Sequence, residues 1–328
     1  MPRIALTTET TLLALIVLLA AIFTMANPVF LTIPNLVGLV EAYAVTTIFG
    51  SGVFVVLVAG GIDISFAATA AVSQYVAAYF ATHYGWPPLQ TIALACSVGF
   101  ALGAVNAFLT HSLRVVSIII TIATSSIYFS LLIHLTGGSE IYNLPDWWTT
   151  PIVFARFDFA PGAFAKINLP IVTMLVVVVV THVIMAHTRL GRQVYALGGN
   201  PESAKRLGVR VLGVQVFVYG YLGLLAGIAG MVQAHRVGQV VPTALQGSEL
   251  NVVAVAILGG ASLVGGIGTM PGVVLGVLLL AILQNGLNLI GVSSYFFEVV
   301  IGVVILFSTT ATAMANRRAA NLHLRAAK

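Results

Sequence analysis

Four carboxylates stand inside or at the ends of long apolar runs: Glu41, Asp63, Glu249 and Glu298. An ionised carboxylate in hydrocarbon is costly unless paired or hydrated, so such groups commonly mark an ion or proton pathway. Each of the four also falls near the expected end of its run, where water is within reach. Asp63, followed by the amides of Ile64 to Ala67, is placed to cap a helix. Other chemistry is poorly supplied. His83, His111, His134, His182, His187, His235 and His323 are scattered without ligand spacing, and the single cysteine, Cys96, lies in an apolar run. No metal cluster and no intrachain disulfide is therefore expected. No His-Glu-x-x-His motif and no Ser, His and Asp set is visible, so no catalytic residue and no cofactor is assigned. A phosphate-cradling P-loop ends in Gly-Lys followed by Ser or Thr. Lys166, Lys205 and Lys328 each follow alanine, so the chain is not an ATPase, and any ATP hydrolysis belongs to a partner subunit.

The elements that must position these groups are membrane helices. Charged residues are 7% of 328 positions and hydrophobic ones 59%, too few charges to clothe a water-soluble globule of this size. A bilayer core takes about 20 apolar residues per helix. Apolar runs punctuated by Gly, Pro and charge predict ten spans, near 11–31, 36–59, 64–82, 90–110, 115–136, 168–187, 213–233, 249–264, 271–290 and 296–314. The expected fold is thus all-α, one polytopic domain over 1–328 with about ten transmembrane helices and both termini cytoplasmic. The run from Thr11 to Ala26 continues toward Leu31 with no polar segment behind it, which predicts a first membrane helix rather than a cleaved leader.

Charge placement orients these spans. With the N-terminus inside, Arg3, Arg114, Arg189, Arg192, Lys205, Arg206, Arg210, Arg317, Arg318, Arg325 and Lys328 are cytoplasmic, and only Arg156, Lys166 and Arg236 are external. The net charge of +5 is therefore read as an orientation signal, with a basic tail at 316–328, and not as a nucleic-acid footprint. The external connection at 137–167 carries Trp147 and Trp148, an aromatic pair suited either to the headgroup level or to docking an external partner.

The cytoplasmic connection at 188–212 contains a short helix written in ordinary punctuation. Asn200 caps, Pro201 opens, Glu202 sits at the positive end of the dipole, and Lys205 and Arg206 occupy the last turn before Gly208. Ala204 and Leu207, one helical step apart, offer a small apolar face. A rigid helix of this kind suits a groove on a partner whose motion it transmits, though an ordered loop also fits the spacing. Glycine pairs at Gly60-Gly61, Gly259-Gly260 and Gly265-Gly266 interrupt apolar segments. Irregular backbone survives in a bilayer only where protein or a water-filled cavity satisfies it, so these are candidate pathway walls or hinges, or else sites of close helix packing.

The segment T-R-L-G-R-Q-V-Y-A-L-G-G-N-P-E-S-A-K-R-L-G-V, Thr188 to Val209, resembles the coupling-loop signature of ribose-type ATP-binding-cassette sugar permeases. The resemblance covers most of the chain and includes Gly60-Gly61-Ile62-Asp63-Ile64-Ser65 and A-I-L-G-G-A-S-L-V-G-G-I-G-T, Ala256 to Thr269. It implies a bacterial inner-membrane permease that pairs with a copy of itself or a sister permease. Two cytoplasmic ATPases would grip it, and a periplasmic binding protein would bring it a sugar. It also implies that Gly199, Asn200, Pro201, Glu202, Ala204, Leu207 and Gly208 touch the ATPase. Pathway or hinge candidates are Gly60, Gly61, Asp63, Ser65, Glu249, Asn251, Gly259, Gly260, Gln284 and Asn285, the amides among them suited, with Asn288, to sugar hydroxyls. Phe66-Ala67-Ala68 departs from relatives that carry a glycine soon after the serine. The competing expectation is a proton- or sodium-coupled secondary transporter using midplane carboxylates.

Overall fold

The computed structural model describes residues 8–160 and 163–297 and five positions between 299 and 306. Glu298, most of the last expected span and the basic tail lie outside the described residues. The helices are α1 (Thr8–Ala26), α2 (Ile33–Ala42), α3 (Ala44–Val58), α4 (Phe66–Tyr84), α5 (Pro88–Leu113), α6 (Ser117–Thr136), α7 (Asp146–Thr149), α8 (Leu169–His187), α9 (Arg189–Gly199), α10 (Pro201–Arg206), α11 (Val211–Val237), α12 (Glu249–Leu258) and α13 (Met270–Leu289). A hairpin, β1 (Val153–Ala160) and β2 (Ala163–Asn168), interrupts them before α8.

Six of these helices, α1, α5, α6, α8, α11 and α13, are long and apolar enough to cross a membrane, and α2 with α3, bent by 48°, makes a seventh. The expectation was about ten. Two of the missing spans have physical reasons for failing a test of length and composition. Helix α4 is 19 residues long but carries Thr69, Ser73 and Gln74, which are buried against neighbouring helices, and an exposed His83 in its last turn. Helix α12 runs for only ten residues before the glycine break. The last span lies outside the described residues.

The core is built around α3, where every residue except Thr46 is buried. Helices α8, α11, α12 and α13 pack around it. The outer surface is apolar as well: Leu13, Val17 and Ile22 on α1, Ile119, Ile127 and Leu131 on α6, and Leu175, Val179 and Val183 on α8 are all exposed. Helices apolar on both faces suit a lipid solvent.

Lipid gives apolar side chains no reason to leave it for one another, so helices associate by close backbone packing. The α5–α11 crossing does this with glycines four apart. A Cβ at Gly99 would stand 2.1 Å from the Gly223 carbonyl oxygen, and one at Gly103 would stand 2.1 Å from that of Tyr219. Only glycine fits.

Between α6 and α8 the chain forms the one-turn α7 and the hairpin, which the sequence reading did not anticipate. Trp148, expected at the headgroups or in a docking surface, is buried at 3% exposure. Its indole Nε1 donates to the Met231 carbonyl at 3.1 Å, and Trp147 stacks on it. Replacing Trp148 with Phe keeps an aromatic ring but removes that hydrogen bond between α7 and α11. The expected result is a loss of about 1 kcal/mol, read as a lower unfolding midpoint in detergent.

Candidate coupling surface and pathway

The connection at 188–212 folds into two helices where the sequence reading expected one. Thr188 caps α9, its hydroxyl accepting from the Gly191 amide at 3.1 Å. Gly191, Val194, Leu197 and Gly198 are buried along one side, and Arg192, Gln193 and Ala196 are exposed on the other. That three- and four-residue spacing was the available signal.

Helix α10 follows with the punctuation expected. The Asn200 side chain accepts from the Ser203 amide at 2.9 Å, Pro201 opens the first turn, and Gly208 ends the element at φ +85°. The apolar face is not as expected, because Ala204 is buried at 1% while Leu207 is exposed at 83%. Ala204 is the anchor of the helix. Pro201, Glu202, Lys205, Arg206 and Leu207 form its free side.

Behind α10 lies a joint that sequence alone did not reveal. The end of α9 sits between the two glycine-rich breaks, residues 59–65 before α4 and 259–269 before α13. The Gly266 amide donates to the Val58 carbonyl at 2.8 Å, and the Tyr195 hydroxyl donates to the Gly268 carbonyl at 2.8 Å. A Cβ added to Gly198 would stand 1.8 Å from the Val58 oxygen and 2.7 Å from the Gly266 nitrogen. Gly265, at φ +93°, would place one 2.7 Å from both the Gly60 Cα and the Gly198 oxygen. Three backbones thus meet directly, with no side chain between the end of α9 and the two breaks. Beside the joint, Leu263, Val264 and Ile267 are exposed at 49%, 86% and 67%. These three were not among the candidates, and with Leu207 they give this face large uncovered apolar groups.

The pathway candidates separate into three places. Asp63 is buried at 3% and accepts from the Ser65 amide and hydroxyl, each at 2.7 Å, and from Asn106 Nδ2 at 3.3 Å. Asn106 also donates to the Ser65 hydroxyl at 2.7 Å. This network fixes the turn into α4 and ties it to α5. It does not cap successive amides, as the sequence reading had it, and Gly61 beside it is packed on Tyr219.

Gln284 accepts from the Tyr43 hydroxyl, and Asn285 exchanges amide bonds with Asn35 at 2.9 and 3.1 Å, so both hold α13 to α2. With Asn288 they line a cavity of about 370 Å³. Gly259 stands at a close crossing, its Cβ position 2.5 Å from the Gly272 oxygen, and Gly260 lies against Thr8. Asn251 is half-buried on α12 and lines neither this cavity nor the next.

Glu249 lines the third place, a cavity of about 190 Å³ between α4, α6 and the start of α12. It was expected at a span end. Glu249 is the first residue of the ten-residue α12, about 15 Å along the helix from Gly259.

The family described as Branched-chain amino acid transport system / permease component matches residues 35–309. The ribose import permease protein RbsC of Escherichia coli is 35% identical over 300 residues, 92% of each chain. The D-allose transport system permease protein of the same organism is 32% identical over 293 residues, 89% of this chain and 87% of that protein. Its galactose/methyl galactoside import permease protein is 30% identical over 307 residues, 89% and 90%. No solved structure matches the chain. A match spanning nearly all of each protein identifies the chain as a member of the ribose-type permease subunits of ATP-binding-cassette sugar importers, not of the secondary transporters.

Proposed function

We propose that the chain forms one half of the translocation pathway of a monosaccharide importer driven by an ATPase on a separate subunit. The observation that carries this is the joint: an exposed, capped helix whose base is in backbone contact with both glycine breaks. A partner that moves α10 moves the segments that enter α4 and α13. The relatives named for ribose, allose and galactose set the solute class.

In this reading a cytoplasmic ATPase grips Gly199, Asn200, Pro201, Glu202, Leu207 and Gly208, with Ala204 packed beneath, and covers Val264 and Ile267. A periplasmic binding protein docks on the opposite end, where Phe154, Phe157 and Phe159 of the hairpin are exposed beside Arg156. A second copy or a sister permease completes the pathway in the bacterial inner membrane. In this reading the chain has about ten spans, α4 and α12 among them, and both termini are cytoplasmic.

The test is co-purification from mildly solubilised membranes. An ATPase is expected to follow the wild-type chain and to be lost when Gly199, Asn200 and Pro201 are all replaced by alanine. A folded wild type that brings down no ATPase, yet transports, would end the importer reading.

A further inference from the structure

Three serines of α6 look into the cavity that Glu249 lines: Ser125, Ser126 and Ser130, the last two one turn apart and exposed in the single chain. Facing them are Gln246 and Glu249, and Ala67, Ala68 and Ala71 of α4 form one wall. Among the described residues neither the Gln246 amide nor the Glu249 carboxylate makes a side-chain hydrogen bond. Ser126 donates to the Ile122 carbonyl at 3.1 Å, which leaves its oxygen free to accept. No lysine, arginine or histidine lines the space. Polar groups on a membrane-spanning helix cannot face acyl chains without cost, so this side of α6 is suited to water or a solute.

We propose, on the reading that the chain imports a sugar, that this cavity is a contact site for an uncharged cyclic polyol on its path through the membrane. At about 190 Å³ it is far larger than the site of one dehydrated cation, and larger than the volume one water needs. Its lining matches both sides of a sugar ring. Glu249 accepts from hydroxyls, Gln246 and the serines donate and accept, and the Phe129 ring and the alanines take the C–H surface. The unpaired carboxylate repels phosphorylated or otherwise anionic solutes, so selection at this point is for neutral ones.

The experiment uses the full chain with Cys96 changed to Ser, co-expressed with its ATPase and binding protein. In that background Ser126→Cys and Ser130→Cys are near-isosteric probes. Both thiols are expected to react with a small water-soluble reagent, and reaction is expected to slow about threefold or more with ribose, allose or galactose at saturation. Thiols that do not react, or that react at the same rate with every sugar, would overturn the proposal.

Uptake gives a second reading. Glu249→Leu is expected to lower it by about tenfold, with the ATPase still co-purifying, and Glu249→Gln by about threefold with no change in response to the proton gradient. Loss of uptake in Glu249→Gln that follows the gradient would make the cavity a cation site. Absence of the ATPase from the wild-type preparation would instead sink the importer reading itself.

Discussion

Replacing Gly198 with alanine is expected to lower solute uptake by about tenfold or more while the ATPase still co-purifies. The added methyl would stand 1.8 Å from the Val58 oxygen and 2.7 Å from the Gly266 nitrogen. Both neighbours are backbone and cannot rotate away. The methyl also lands on the hydrogen bond between them, 2.8 Å in the native joint. Opening the joint costs about 1–3 kcal/mol of overpacking strain and a further ~1 kcal/mol for the lost bond. The free side of α10 is untouched, so the partner still binds, but its motion no longer reaches both breaks. Gly213→Ala, where the nearest atom to the new Cβ is 3.8 Å away, serves as the comparison and should transport as the wild type does. Equal uptake by the two variants would mean that the joint transmits nothing.

Gly223→Val should have the larger effect on folding itself. The first side-chain atom would stand 2.1 Å from the Gly99 oxygen and 3.2 Å from the Gly103 Cα, at the heart of the α5–α11 crossing. These two helices can meet only at backbone distance, and a branched side chain must push them apart. The expected loss is about 3 kcal/mol, which for a protein of ordinary marginal stability appears as little monodisperse material in detergent. Recovery of normal yield and an unchanged unfolding midpoint would show that the crossing is looser than its geometry indicates.

The parts of the fold that could be read from sequence are those governed by neighbours along the chain. Asn200, Pro201 and Gly208 place α10 because caps and turn residues act within a few positions of themselves. Helix α9 was equally accessible through Thr188 and the spacing of Val194 and Leu197, but a basic stretch between two apolar runs reads first as a loop. The hairpin has a similar history. Phe157 and Phe159 flank Asp158 in strict alternation, and Pro161-Gly162 is a turn pair, but so short an alternation beside two tryptophans equally suits an interfacial segment.

What was not legible depends on contacts between distant residues. Gly60, Gly198 and Gly265 meet only in three dimensions, and a glycine pair in sequence suits a hinge and a close crossing equally well. Gly259 proved to be a crossing and Gly265 part of the joint. Glu249 opens α12 as its first residue, but that it shares a cavity with serines of α6 depends on how the irregular chain around Pro242 and Gly247 enters the helix. The glycines four apart on α5 and α11 were present in the sequence, but such spacing is common in apolar helices and names no partner.

The central claim, that transport is driven through α10 by a separate ATPase, is tested most directly by uptake of labelled ribose, allose and galactose into right-side-out membrane vesicles. The vesicles would hold the chain with its co-purifying ATPase and binding protein, and internal ATP and the proton gradient would be set independently. The account predicts uptake of at least one sugar that requires internal ATP, persists when the gradient is collapsed, and disappears in the Gly199-Asn200-Pro201 triple-alanine variant. Uptake that needs the gradient, proceeds without ATP and survives the triple substitution would contradict it.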